Sequence, residues 1–129
     1  MHKYSQEVIK EYLRTAGEKL ESARILFEHS RFDDAVSRAY YAVFHSAQAL
    51  LLSIGVKSDS HSGTRHLFGL HFIKSGKFDK RFARYLKNLK DDRENGDYGI
   101  FTFIEREEAD AALKEAREFF KETKKYLKM

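Results

Sequence analysis

The chain has 129 residues, a formal net charge of +4 at neutral pH, and no proline, cysteine or tryptophan. Without cysteine it can form no disulfide and no thiolate metal site, which fits a reducing compartment. Residues 1–12 contain no apolar segment of the secretory-signal type. The longest run without Lys, Arg, Asp or Glu, residues 39–56, carries too many polar side chains for a membrane span. We therefore expect one cytoplasmic domain over residues 1–129 that does not enter a membrane.

Helical periodicity is the strongest structural signal at the start of the chain. Apolar residues recur every three or four positions at Ile9, Leu13, Ala16, Leu20, Ala23 and Phe27, and again at Val36, Tyr40, Val43, Ala47, Leu50 and Ile54. The link HSRFDD between these two predicted helices is short, so the helices should be antiparallel neighbours. We expect Asp33 or Asp34 to be the N-cap of the second helix.

The second predicted helix is apolar around more than half of its circumference, and this leaves two interpretations open. It is either a central helix surrounded by the others, or its second face pairs with another copy of the chain in a symmetric dimer. The segment SIGVKSDSHSG, rich in Ser and Gly, then forms the first real break in the helical pattern.

Three further helices are predicted after this break. They run from about Thr64 to Lys74, from about Asp79 to Asp91 with Phe82, Tyr85, Leu86 and Leu89 as apolar positions, and from about Glu105 to Leu127 with Ala109, Leu113, Ala116, Phe120 and Leu127. Between the last two lies DDRENGDYG, residues 91–99, which reads as a polar loop or as a phosphate-handling element. The sequence therefore predicts an all-α, five-helix antiparallel bundle.

Charge is unevenly distributed along the chain. Between Gly55 and Arg93 there are ten Lys or Arg against four Asp, a balance of +6, whereas the remaining residues hold fourteen basic against sixteen acidic, a balance of −2. A basic surface is the footprint of a phosphate-rich partner, and a solvated helix face is the alternative. His61, His66 and His71 recur every five residues, which turns helical side chains about 140° apart, so no metal site is predicted.

Four segments together resemble the small stand-alone branch of the HEPN domain family found in archaea and bacteria. They are SRFDDAVSRAYYAVFHSAQALLLSIGV, SHSGTRHLFGLHFIKSGKFD, LKDDRENGDYG and EEADAALKEAREFFKETKKYL. The resemblance covers nearly the whole chain and implies an antiparallel helical bundle that forms a homodimer. It also implies a toxin of a toxin–antitoxin pair, with a minimal nucleotidyltransferase as antitoxin partner. Many members are metal-independent ribonucleases, so no cofactor is expected.

The family's catalytic hallmark is R-x(4–6)-H, in which the arginine holds phosphate and the histidine performs acid–base chemistry. Arg93 stands where the resemblance places the arginine, but the positions for the histidine hold Tyr98, Gly99 and Ile100. The bare spacing also occurs in Arg24…His29, Arg38…His45 and Arg65…His71, none of which lies in the family's position. His45 follows an apolar run and is interpreted as a core histidine. His61, predicted in the Ser/Gly loop, matches a histidine of this branch and could approach Arg93 within the bundle or across a dimer.

Metal-independent RNA cleavage needs a base for the 2′-hydroxyl proton, an acid for the leaving oxygen and a cation for the developing charge. Arg93 suits the cation and His61 titrates near neutrality. Tyr98 is a candidate donor or stacking surface, and Asp97 could orient Arg93, although both could simply close a turn. The other residues predicted to bind phosphate or nucleotide are Arg65, Arg84, Lys87 and Lys90.

Two functions therefore remain open on the sequence. The first is a HEPN toxin that acts as a metal-independent ribonuclease through Arg93. The second is a non-catalytic HEPN module that binds nucleotide or RNA and docks a nucleotidyltransferase. The chain has neither a G-x-x-x-x-G-K-[ST] loop nor a nucleotidyltransferase motif, so it is not itself the enzyme that would modify a partner.

Overall fold

The computed structural model describes residues 4–98 and 103–129, with side chains for all of these except residues 95–98. Its helices are α1 Gln6–Glu28, α2 Phe32–Ser53, α3 His61–Phe68, α4 Arg81–Tyr98 and α5 Arg106–Leu127, and a π-helical turn Gly69–Ile73 continues α3. No strand occurs within the described residues. The predicted all-α, five-helix fold is therefore confirmed.

Helix α2 lies at the centre of the bundle and packs against each of the other four helices. Its buried residues cover all sides: Ala35, Val36, Ala39, Tyr40, Ala42, Val43, Phe44, Ser46, Ala47, Gln48, Ala49, Leu50, Leu51 and Leu52. The central position explains why this helix is apolar around more than half of its circumference. Pairing with a second copy of the chain remains a prediction. Within the described part of the chain, none of the helices has the length and hydrophobicity that a membrane crossing requires.

The apolar stripes of the outer helices form the core much as their spacing predicts. In α1 the stripe residues Ile9, Leu13, Ala16 and Ala23 are buried. At one end of the core, five phenylalanines contact one another ring to ring: Phe68, Phe72, Phe78, Phe82 and Phe119. Phe119 was not in the predicted stripe of α5, yet it is fully buried, whereas its predicted neighbour Phe120 is partly buried.

The beginning of α2 differs from the prediction. The N-cap is Arg31 rather than an aspartate, and Asp33 and Asp34 lie in the first turn of the helix. The reason is that Phe32 is already helical, with its ring edge to face against Phe27 of α1 at 5.5 Å between centroids. The two carboxylates stabilise the helix through the positive end of its dipole instead of by capping it.

The predicted end of α4 at Asp91 is wrong, because residues 92–98 of the polar segment continue the helix. Two ion pairs one turn apart span this region, Lys87 to Asp91 at 3.4 Å and Lys90 to Glu94 at 3.0 Å. Both have the i, i+4 spacing that supports a helix. The polar composition marks a charged helical extension rather than a loop, and Arg93 is therefore presented from a helix.

Helix α4 is held against α5 by polar contacts near its first turns. Arg81 Nε donates to Glu118 Oε1 at 2.6 Å, and the Tyr85 hydroxyl donates to Glu118 Oε2 at 3.1 Å. Further along the same seam Asp92 and Glu115 are both half-buried. Burial and the nearby Asp92 raise the pKa of Glu115 to about 6. At neutral pH the ionised carboxylate of Glu115 therefore destabilises the contact between α4 and α5.

Candidate functional site

Arg93 is positioned by the inward-facing side of α4. It follows the buried Leu86 and Leu89 on the helix and is itself half-buried. Its guanidinium carbon lies 5.6 Å from the ring centre of Tyr40 and 5.2 Å from that of Tyr41, both on α2. A guanidinium over aromatic faces keeps its charge and its planar fork of donors. The central helix thus provides an aromatic support for the cation of α4.

Tyr40 is the residue that joins the elements of this site. Its side chain is 2% exposed, and burial raises the pKa of its phenol to about 12, although the charges of Arg93 and Arg65 act in the opposite direction. The hydroxyl therefore keeps its proton at neutral pH. It shares a hydrogen bond of 2.5 Å with Nδ1 of His61. A hydroxyl can donate or accept, so either tautomer of the imidazole can make this bond.

His61 lies at the first position of α3, so its predicted place in a loop is wrong. The helix starts three residues before the predicted Thr64, because the Ser60 hydroxyl caps it by accepting from the Gly63 amide at 3.0 Å. A Cβ at Gly63 would lie 2.5 Å from the Ser60 hydroxyl oxygen and 2.8 Å from that of Ser58. The glycine of the HSG segment is thus needed for the close approach that fixes the start of α3.

The imidazole of His61 is held by ring contacts as well as by Tyr40. It stacks on Phe44 with centroids 4.3 Å apart and meets the edge of Tyr41 at 5.9 Å. Burial, followed by the charge of Arg93, lowers the pKa of His61 below its usual value. The loss of hydration comes from the side of the ring that packs on Tyr40 and Phe44, since the residue as a whole is exposed. It is thus an accessible, mainly neutral imidazole at pH 7, which is the form required of a general base.

The comparison with known proteins gives a family for this arrangement. Residues 9–126 match the HEPN domain family. The chain belongs to that family. It is 38% identical over 128 residues to a protein described as "Putative toxin" from Methanocaldococcus jannaschii, covering 99% of this chain and 95% of the relative. A second "Putative toxin" of that organism is 34% identical over 97% of this chain and 84% of the relative. A UPF0332 protein of Pyrococcus horikoshii is 40% identical over 87 residues, 67% of this chain and 61% of the relative.

Within this HEPN domain, two of the other predicted phosphate-binding cations lie close to the site. The charge of Lys90 is near enough to contribute to the lowered pKa of His61. The charge of Arg65 is near enough to Tyr40 to oppose the rise that burial causes in its pKa. Lys90 is also paired with Glu94. Together with Arg93 they give the site three cations from α3 and α4.

The two remaining cations of the predicted set are placed differently. Arg84 is exposed at the start of α4, where it acts on the carboxylate of Asp79. Nine residues separate it from Arg93, a rotation of about 180° around the helix. Lys87 is exposed and paired with Asp91. The structure does not bring either of them to the Tyr40 cluster.

Asp97 and Tyr98 complete the predicted set, and their side chains lie outside the described residues. Gly99 and Ile100, the other positions at which the HEPN motif would place its histidine, also lie outside them. The backbone through Tyr98 is helical, as the last turn of α4. The predicted roles of Asp97 and Tyr98 stay predictions.

His45 lies beside the site rather than in the bundle's interior, so its interpretation as a core histidine is only partly right. The side chain is half-buried, and its Nδ1 lies 3.0 Å from Oε1 of Gln48. The Gln48 amide group donates to the Ser58 carbonyl oxygen at 3.0 Å. Because the amide oxygen can only accept, Nδ1 of His45 carries the proton and Nε2 is the acceptor nitrogen.

Sequence reasoning missed the central part that aromatic residues play in this site. The apolar spacing places Tyr40 in the core stripe of α2 and gives Tyr41 and Phe44 no role in a site. The signal was present in the segment RAYYAVFH, where four aromatic rings occur within six residues. No group of three or more His, Asp or Glu side chains in the described residues is arranged to hold a metal ion.

Proposed function

We propose that this HEPN protein is a toxin-type protein that holds RNA phosphate at Arg93 and cleaves the strand without a metal, using His61 for proton transfer. In this proposal a minimal nucleotidyltransferase is its antitoxin partner. The observation that carries the proposal is the convergence of Arg93 from α4 and His61 from α3 on Tyr40 of α2. Three helices thus contribute the cation, the titratable group and the hydroxyl that orients it.

The groups suit the chemistry of RNA transesterification. Nε2 of His61 takes the proton of the 2′-hydroxyl, the 2′-oxygen attacks phosphorus, and the bond to the 5′-oxygen breaks, which leaves a cyclic phosphate. Arg93 stabilises the charge that develops on the phosphoryl oxygens. In the tautomer whose Nδ1–H donates to the Tyr40 hydroxyl, Nε2 of His61 is the free base. Tyr98 remains the sequence-based candidate for the proton donor to the leaving oxygen.

The surrounding charge supports a polyanionic ligand. Lys90 and Arg65 lie near the histidine–tyrosine pair, and the whole +6 balance of residues 55–93 falls on α3, α4 and the segment that joins them. Such a concentration attracts RNA at low salt. The description of two relatives as "Putative toxin" supports the toxin assignment.

The test is cleavage of a mixed RNA pool in EDTA by the wild type and by Arg93→Ala, His61→Ala and Arg84→Ala. We expect the first two variants to lose at least about a hundredfold in rate, since each removes a group that acts in the transition state. Arg84→Ala, on the opposite face of α4, should cleave at nearly the wild-type rate. Equal losses in Arg84→Ala and Arg93→Ala would contradict a site centred on Arg93.

A second candidate function follows from the residues at the motif's histidine positions, which are Tyr98, Gly99 and Ile100. In that case the protein binds nucleotide or RNA without cleaving it and docks the nucleotidyltransferase. Intact RNA after incubation with micromolar wild type would select this function for the isolated chain. Co-purification with a co-expressed minimal nucleotidyltransferase, together with light scattering for the homodimer, tests the proposed partners under either function.

A further inference from the structure

A recess between α1 and α2 lies next to the proposed site and has no role in it so far. It has a volume of about 280 Å³ and is lined by Glu11, Tyr12, Thr15 and His45. An apolar cavity of roughly 150 Å³ already accepts a benzene ring. The recess is therefore large enough for a heteroaromatic ring system.

Two of its walls are aromatic. The rings of Tyr12 and His45 meet edge to face, with centroids 6.4 Å apart and planes at 65°. Burial and the neighbouring Lys19 lower the pKa of His45, so its ring is mainly neutral at pH 7. Neutral aromatic rings stack on nucleobases regardless of the base's identity.

Polar atoms at the recess complement the rings. Arg14 donates from Nε to both carboxylate oxygens of Glu11, at 3.0 and 3.1 Å, which holds that carboxylate ionised and oriented. The Thr15 hydroxyl and Nε2 of His45 are further acceptors. A ring whose edge carries N–H groups matches this set of acceptors.

Ring contacts connect the recess to the phosphate site. Phe44 lies 4.3 Å from His61 and 5.7 Å from His45, centroid to centroid. Tyr41, which supports Arg93 at 5.2 Å, also contacts His45 at 6.3 Å. The recess and the Arg93 guanidinium thus lie on either side of Tyr41 and Phe44. Adjacent parts of one RNA strand can therefore occupy the recess and the phosphate site together.

We propose that this recess binds an unpaired nucleobase of the RNA strand whose phosphate is held at Arg93. The inference rests on the proposed function and narrows its substrate to single-stranded RNA, because a base must leave a duplex before it can enter a recess between helices. Tyr12 and His45 supply aromatic contacts to the base from two directions, one by stacking and the other through its ring edge, because their planes lie at 65° to each other. Glu11 and Thr15 accept from the base edge.

The test measures binding of a fluorescein-labelled 2′-O-methyl oligoribonucleotide of mixed sequence, which lacks the 2′-hydroxyl nucleophile and stays intact. Anisotropy titrations compare the wild type with Tyr12→Leu, Tyr12→Phe and His45→Leu. We expect about a tenfold weaker affinity for the single strand in the two leucine variants, the size of one lost stacking contact. Tyr12→Phe should stay within about twofold, since the ring remains. Tyr126→Leu, on another face of the bundle, is the matched control and should bind as the wild type does.

Three outcomes separate the two proposals. Wild-type affinity in Tyr12→Leu and His45→Leu, with binding lost in Arg93→Ala, overturns the recess and leaves the proposed function standing. Wild-type affinity in Arg93→Ala overturns the proposed function itself. A duplex of the same sequence that weakens as much as the single strand in Tyr12→Leu also overturns the recess, because a paired base cannot enter it. If Tyr12→Leu proves unfolded by circular dichroism, His45→Leu, which removes the other ring of the pair, decides the question.

Discussion

The hydroxyl of Tyr40 allows a sharp test of the candidate site, because Tyr40→Phe removes one hydrogen bond and leaves the ring in place. The bond to Nδ1 of His61 is 2.5 Å long. A hydrogen bond of this kind contributes about 1 kcal/mol net. His61 is exposed, so water can replace the lost partner, and the cost should lie near the lower half of the usual range of about 0.5–1.5 kcal/mol. The ring contacts with Phe44 and Arg93 remain.

The assay is a double-mutant cycle of Tyr40→Phe and His61→Ala, measured by urea unfolding. A coupling energy of about 0.5–1 kcal/mol is expected, since the two side chains touch directly. RNA cleavage by Tyr40→Phe should fall about tenfold, because the imidazole loses the group that orients it. Tyr41→Phe is the matched control, as Tyr41 meets His61 through a ring edge rather than through its hydroxyl. Strict additivity of the two substitutions would refute the role assigned to the hydrogen bond.

Two further predictions concern stability. Glu115→Gln should stabilise the fold at pH 8, because burial and a neighbouring carboxylate raise the pKa of Glu115 to about 6. A pKa shift of this size corresponds to about 2 kcal/mol of unfolding free energy lost when Glu115 is ionised. Solvent screening of the half-buried group reduces this loss to about 1 kcal/mol. Since the folded protein binds this proton more tightly, the gain should disappear as the pH falls from about 6 to about 4.5. A gain that persists unchanged at pH 4 would contradict this cause. Phe119→Ala should cost about 3–5 kcal/mol in denaturant unfolding, because the ring is fully buried among other phenylalanines; a loss below about 1 kcal/mol would mean that the core there repacks.

The helices were predictable because their signals are local. The spacing of Ile9, Leu13 and Ala16 fixes which face of α1 is buried, whatever the helix packs against. The same holds for Glu105, which caps α5 in a reciprocal capping box with Glu108 within about one residue of the predicted start. Each of these features depends on residues that lie within a few positions of one another.

The polar segment after Asp91 shows where the propensities of single residues predict the wrong element. Its glycine, asparagine and aspartates are typical of loops, yet the ion pairs from Lys87 and Lys90 and the aromatic support beneath Arg93 continue the helix. Similarly, α3 begins at His61 because Ser60 caps it and Gly63 allows the close approach. In both places, contacts between side chains three or four residues apart, and in α4 also the packing of Arg93 on α2, outweighed the propensities of single residues.

The sequence by itself determined that this chain is a helical bundle of the HEPN family, with its positive charge concentrated between residues 55 and 93. The tertiary structure alone decided which residues meet. Tyr40 and Tyr41 are adjacent in sequence to each other but far from His61 and Arg93, and the packing of α3 and α4 on α2 brings these four together. Periodicity describes which face of a helix turns inward, whereas the pairing of side chains between helices depends on how those faces interlock.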